Sequence, residues 1–184
     1  MKFKYETPQL IMRVCSRADA RMIYHFYQRN LKDFSLYEPI DQKAASTLVY
    51  FEKILDVEQE LLLQKECFRY YLFEKDNPFR VVGTISFREI SYADHLSCAK
   101  LGYKIDKEYR RRGYAREAIY TGCSALFAEE LLHRIEATVL PDNEPSWRLL
   151  ESIGFEREGL LRKKFRFNGA WRDHYLYAAI NPYE

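Results

Sequence analysis

Six consecutive residues, Arg110, Arg111, Arg112, Gly113, Tyr114 and Ala115, have the makeup of an anion-binding turn. They follow a strand-like run over residues 101–105 and lead into a helical pattern that begins near Tyr114. The first amides of a helix lack intrahelical partners and sit at the positive end of its dipole, so they attract phosphate. A glycine there lets the backbone approach such a group closely. Three arginines can equally be a solvated charge run. Cations at a helix N-terminus, however, oppose the dipole by about 0.3–1 kcal/mol each when exposed, and a bound anion removes that conflict. The Walker pattern is excluded because Gly113 is followed by Tyr114 and Ala115 instead of Lys and Ser or Thr. The dinucleotide fingerprint lacks its other glycines.

Other residues able to do chemistry are scattered. Glu136 and Thr138 alternate onto one face of a strand-like run, and Asn143 and Ser146 follow it. Local chemistry makes Asn143 a turn residue and Ser146 a helix cap. Glu136 reads either as a proton acceptor or as a cross-strand charge partner near Arg134, and Glu89 is a second carboxylate of the same kind. Asp173 and His174 are adjacent in a strand-like run, so they face opposite sides and cannot form a simple dyad. Trp147 and Trp171 read as packing residues. Cys15, Cys67, Cys98 and Cys123 form no pair or cluster with metal-ligand spacing, so no metal site is expected. They read as reduced, small hydrophobes of a cytoplasmic protein.

The elements that would position these groups follow from periodicity. A strand over 9–14 precedes a helix capped by Ser16, and a mixed aromatic and acidic loop covers 30–39. A longer helix spans about 42–67, a hairpin of two strands covers 68–75 and 79–90 around the turn at 76–78, and a further strand, 97–105, follows SYADH. After the helix of about 114–131 come a strand at 133–140, a short helix at 146–153 ended by Gly154, and two strands flanking Asn168 and Gly169. With 184 residues, 47% of them hydrophobic, and no linker or repeat, a single domain over 1–184 is expected. A formal net charge of +2 gives nucleic acid little to bind globally, though basic residues cluster at 104–116 and 157–166. No apolar run is long enough for a bilayer, and the first residues lack a signal-peptide core.

The order Arg110 to Ala115 resembles the acyl-CoA pyrophosphate loop of the GNAT acetyltransferases, Gln/Arg-x-x-Gly-x-Gly/Ala. With GYKIDKEYRRRGYAREA, HRIEATVLPDNEPSWRLLESIGFEREG and FNGAWRDHYLYAAINP, the chain from Leu101 onward is similar to the RimJ/RimL type, the ribosomal-protein N-terminal acetyltransferases. The resemblance implies a single GNAT-like domain of mixed α+β class, with a mostly antiparallel central sheet splayed at the cofactor cleft and flanked by helices. It implies acetyl-CoA as co-substrate, with backbone groups of Tyr103 and Ile105 along the pantetheine arm. Amides of Arg110, Arg111, Arg112, Gly113, Tyr114 and Ala115 would hold the pyrophosphate. Arginine side chains could reach the 3′-phosphate, and Asn143 and Ser146 match the second motif facing the coenzyme.

Acetyl transfer to an amine needs a neutral amine, a donor for the carbonyl oxygen and a proton for the departing thiolate. A backbone amide near Tyr103 to Ile105 would serve the carbonyl oxygen. Where many GNAT enzymes carry a tyrosine this chain has Leu150, so Ser146 becomes the candidate for the thiolate and Glu136 for the base. The acceptor expected is the α-amine of a protein or peptide N-terminus, with Asp33 and Glu38 attracting the amine and Phe34 and Tyr37 walling its side chain. A small amine is the alternative within the same chemistry, and a non-catalytic acyl-CoA sensor is the alternative outside it. No membrane partner is expected, nucleic acid is disfavoured, and a homodimer is compatible with the sequence.

Overall fold

The computed structural model describes residues 1–93, 95–167 and 169–184. Eight strands form one sheet: β1 (Lys4–Glu6), β2 (Leu10–Arg13), β3 (Cys67–Glu74), β4 (Asn77–Ala93), β5 (Leu96–Ile105), β6 (Arg134–Val139), β7 (Glu156–Phe167) and β8 (Ala170–Ile180). Their order is β1-β2-β3-β4-β5-β6-β8-β7. Every neighbouring pair is antiparallel except β5 and β6. The crossover between those two is made by the helix α3 (Tyr114–Glu129), as a parallel connection requires. Two further helices, α1 (Ala20–Phe34) and α2 (Leu48–Leu63), precede β3, and α4 (Glu144–Ser152) follows β6. This is the mixed, mostly antiparallel, helix-flanked sheet that the resemblance implies.

The strand alternation divides the core in two. Residues such as Leu72, Ile85, Phe87, Leu101 and Ile135 point to the face covered by α3, where Ala118, Ile119 and Leu126 meet them. Tyr71, Phe73 and Val81 point to the other face and pack on Ile23 and Phe26 of α1 and on Phe51 and Leu55 of α2. Gly122 lets α3 lie directly on the sheet: a Cβ there would stand 2.7 Å from Phe87 Cε2.

Departures from the sequence expectation are local. β1 is an added strand too short and too polar to stand out, held by pairing Lys4 through Glu6 with Ile11 through Arg13. α1 continues to Phe34 because Phe26, Asn30 and Phe34 extend its buried face, which leaves a shorter loop than 30–39. The second helix starts only at Leu48, where the Thr47 hydroxyl accepts from Tyr50 N, after a single turn at Ala44–Ser46. The SYADH stretch is strand through Ala93, while its Asp94 lies outside the described residues, as does Asn168 of the expected Asn168–Gly169 turn. β7 and β8 pair on either side of that turn.

Candidate active site

The defining feature is where β5 and β6 part. They pair only at Cys98 with Arg134, Ala99 with Ile135 and Lys100 with Glu136. β5 then continues to Ile105, bonded on its other side to β4 as far as the Gly83–Ile105 pair, and β6 continues to Val139, bonded to β8. From Leu101 to Ile105, β5 therefore has a free edge facing β6, and the sheet opens into a V toward the ends of both strands. Strand edges of this kind can accept an extended ligand as an added strand.

Past the end of β5 the chain enters the arginine turn, and α1 holds its start. Asp106, fully buried, accepts from Arg29 Nε at 3.1 Å and from the Glu108 amide at 3.2 Å. Asn30 Oδ1 accepts from the Lys107 amide at 2.9 Å. Arg110 pairs with Asp33 at 3.0 Å, and Arg112 pairs with Glu74 at 3.3 Å while lying 4.7 Å above the Tyr109 ring. The three arginines are thus no uniform charge run. Arg111 adopts a left-handed conformation, φ 63°, is exposed, and has no ion pair among the described residues.

Gly113, φ 82°, is the N-cap of α3, and no side chain caps the helix. Its first amides therefore stay available, as an anion site requires. The one acidic residue of the first turn, Glu117, is turned elsewhere: its carboxylate accepts from Thr7 Oγ1, from the Gln9 amide at 2.8 Å and from Gln9 Nε2 at 2.9 Å. Burial alone would raise the Glu117 pKa, yet these bonds hold it below the ordinary glutamate range. The same bonds fix the entry of α3 against the turn between β1 and β2.

Across the V stands the start of α4. Asn143 is its N-cap, with its main-chain oxygen accepting from Ser146 N at 3.0 Å, and Ser146 lies in the first turn. Tyr103 reaches over from β5, its hydroxyl 2.7 Å from Ser146 Oγ. Burial pushes the Tyr103 phenol up to about 12. Leu150 is fully buried under α4 and contributes only packing.

The remaining candidates separate clearly. Glu136 is at the root of the V, accepting from Arg134 Nε at 2.8 Å, while Arg134 also binds Glu158. Glu89 sits at a bulge of β4 with φ 50° and pairs with Lys100. Glu38 is paired with Lys104 at 2.7 Å, Phe34 is buried, and Tyr37 is exposed. Asp33 and Glu38, expected to attract an amine, thus already face cations of the chain. His174 is buried on the strand face opposite Asp173, which accepts from Lys163 N at 2.8 Å. Burial holds the imidazole below its usual pKa, so it is neutral near pH 7. Trp147 packs as expected, but Trp171 is exposed and lines a shallow pocket with Pro141, Asp142 and Arg172. The Tyr103 side chain is the contact that sequence reasoning missed. Its only local signal is the alternation that puts it on the face of Leu101, which α4 also approaches. Among the described residues no helix is long and apolar enough to cross a membrane, and no cluster has metal-binding geometry.

Known proteins share this fold. The model of the acetyltransferase (GNAT) domain matches residues 9–156. The [ribosomal protein uS5]-alanine N-acetyltransferase of Escherichia coli is 27% identical over 181 residues, 98% of this chain and 92% of that protein. The structure of ribosomal-protein-S5-alanine acetyltransferase from Vibrio fischeri superposes with a TM-score of 0.90 at 30% identity, covering 98% of each chain. That of Mycobacterium smegmatis RimJ, solved with a CoA disulfide, gives 0.88 at 26% identity over 96% of this chain and 86% of the other.

Proposed function

The chain belongs to the GNAT acetyltransferase family, using acetyl-CoA as the acetyl donor, and we propose that its acceptor is the α-amine of a protein or peptide N-terminus. The observation that carries the acceptor reading is the likeness, extending over nearly the whole chain, to two proteins named for acetylating alanine of a ribosomal protein. Elementary acid–base chemistry favours the same acceptor. An α-amine with a pKa of about 7.7–8.0 is substantially neutral near pH 7.5, whereas a lysine at about 10.4 is almost wholly protonated. An acceptor of the first kind needs little help from a base. Two carboxylates paired with residues of β5 and β6, Glu38 and Glu136, are already committed to Lys104 and Arg134.

In this reading the free edge of β5 at Tyr103 and Ile105 pairs with the pantetheine arm, and a main-chain amide there faces the thioester carbonyl oxygen. Removing such a donor typically costs about 3 kcal/mol of transition-state stabilisation. The amides of Arg110 to Ala115 hold the pyrophosphate around Gly113. Arg111, the one of the three turn arginines without a carboxylate partner among the described residues, is assigned to the 3′-phosphate. Asn143 orders the start of α4, and Ser146 faces the sulfur as the carbon–sulfur bond breaks. Glu136 is retained as base only where its pair with Arg134 opens.

A mass-spectrometric acetyl-transfer assay tests the acceptor. Acetyl-CoA is offered with peptides differing in their first residue, N-blocked lysine peptides and polyamines. Acetylation confined to free N-termini is the expected result. Acetylated polyamine alone would move the acceptor to small amines, and acetyl-CoA bound but untouched by every amine would refute transfer to any of them.

A further inference from the structure

Tyr103 is doubly placed. Its backbone belongs to the free edge of β5, while its side chain crosses the V to α4, with the hydroxyl 2.7 Å from Ser146 Oγ and 3.3 Å from the Ser146 main-chain oxygen. The direction of the first bond matters because Ser146 has a single hydroxyl hydrogen. If serine donates to tyrosine, nothing is left for a ligand in the cleft. If tyrosine donates, the serine hydrogen is free. Two considerations select the second direction. The phenol has one hydrogen to give, and the serine hydroxyl oxygen at 2.7 Å is a much nearer acceptor than the main-chain oxygen at 3.3 Å. A phenol is also much the stronger acid of the two hydroxyls, and hence the better donor. The tyrosine ring is half-buried against the core, which fixes where its hydroxyl lies.

We propose that Tyr103 is a positioning residue that donates to Ser146 Oγ and so turns the Ser146 hydroxyl hydrogen into the cleft, toward the thioester sulfur. The inference rests on the reading above that Ser146 faces that sulfur. The acceptor nitrogen bonds to the thioester carbonyl carbon and releases its proton to solvent; as the carbon–sulfur bond breaks, its electron pair passes to sulfur, and the oriented hydroxyl donates to the growing negative charge. Coenzyme A leaves as the thiolate and takes its proton from solvent. Donation from Tyr103 also polarises the serine hydroxyl, as linked hydrogen bonds do. The bond joins two side-chain hydroxyls and uses none of the main-chain groups of β5, so its loss is expected in turnover and not in binding.

The test is a cycle of Tyr103→Phe, Ser146→Ala and the double variant, followed by steady-state kinetics and acetyl-CoA titration. Tyr103→Phe removes one oxygen from a ring that stays packed. It is expected to lower kcat about tenfold with acetyl-CoA affinity unchanged within about twofold. The double variant is expected to be no slower than Ser146→Ala, because both changes remove the same donor. Slow Ser146→Ala with normal Tyr103→Phe would overturn the inference and leave the role of Ser146 standing. Normal turnover by Ser146→Ala would overturn both. Multiplied losses in the double variant would overturn the coupling. Replacement of Tyr103 by 3-fluorotyrosine, a stronger donor of nearly the same shape, gives a check that does not depend on the fold of Tyr103→Phe. It is expected to turn over at or above the wild-type rate, and a slower enzyme would overturn the proposal.

Discussion

Replacing Gly113 by alanine and by glutamate separates backbone strain from charge at the anion turn. Gly113 has φ 82°, and a Cβ built there meets nothing nearer than Gln9 Nε2 at 3.9 Å. Alanine therefore fits, and its cost is the left-handed backbone alone, about 1–2 kcal/mol. For a domain of this size that lowers the melting temperature by about 2–8 °C. Acetyl-CoA affinity should fall only modestly, since the turn can keep its shape. Glutamate carries the same strain and adds a carboxylate beside the expected pyrophosphate. At a separation of about 6 Å and an effective dielectric of about 40, each unit of like charge repels by about 1.4 kcal/mol. Two phosphate charges then weaken binding by about 100-fold. Calorimetric titration with acetyl-CoA, together with thermal melts of both variants, reads the two effects apart. If Gly113→Glu melts like Gly113→Ala and binds acetyl-CoA with wild-type affinity, the pyrophosphate does not lie at this turn.

Three further outcomes follow from the same geometry. Gly122→Val should destabilise by about 1–3 kcal/mol in denaturant titration, because its Cβ would press on the buried Phe87 ring at 2.7 Å; an unchanged midpoint would contradict the close helix–sheet contact. Asp106→Ala leaves the half-buried Arg29 without its partner and should cost about 3–5 kcal/mol, with acetyl-CoA binding weakened as the turn loses its anchor; Arg29→Ala should produce a related loss, and normal stability in both would refute the anchoring. Glu117 contributes stability through a depressed folded-state pKa, so that contribution is complete above the unfolded value of about 4.3 and lost as pH falls through the folded one. Glu117→Gln should accordingly flatten the acid limb of the stability profile, and an unaltered limb would show that its bonds to Thr7 and Gln9 carry no linkage.

Much of this molecule is legible in one dimension because its elements obey short-range rules. Alternation marks β3, β4, β5 and β6 to within a few residues, and the glycine between an arginine run and an amphipathic helix marks the turn whose amides stay uncapped. β1 escapes notice because three residues, two exposed and one half-buried, are too few to carry a periodic signal and exist as a strand only through their partner. The true length of α1 depends on Asn30, a polar residue whose burial is rewarded by bonds to Phe26 and Lys107.

The sequence by itself determined the fold class, the family and the place of the arginine turn, since each rests on spacing within a few tens of residues. Tertiary structure decided which groups are free to act. The three arginines are alike in sequence, but Asp33 and Glu74 engage two of them and leave Arg111. Glu38 is an acidic candidate until Lys104 of β5 meets it, and Glu136 until Arg134, two residues earlier on the same strand, turns its side chain onto it. Tyr103 and Ser146 are 43 residues apart, and their contact exists only because β5 and β6 diverge and bring α4 over the gap. A hydrogen bond or ion pair is set by distance in space, and only the closed sheet fixes distances between residues so far apart along the chain.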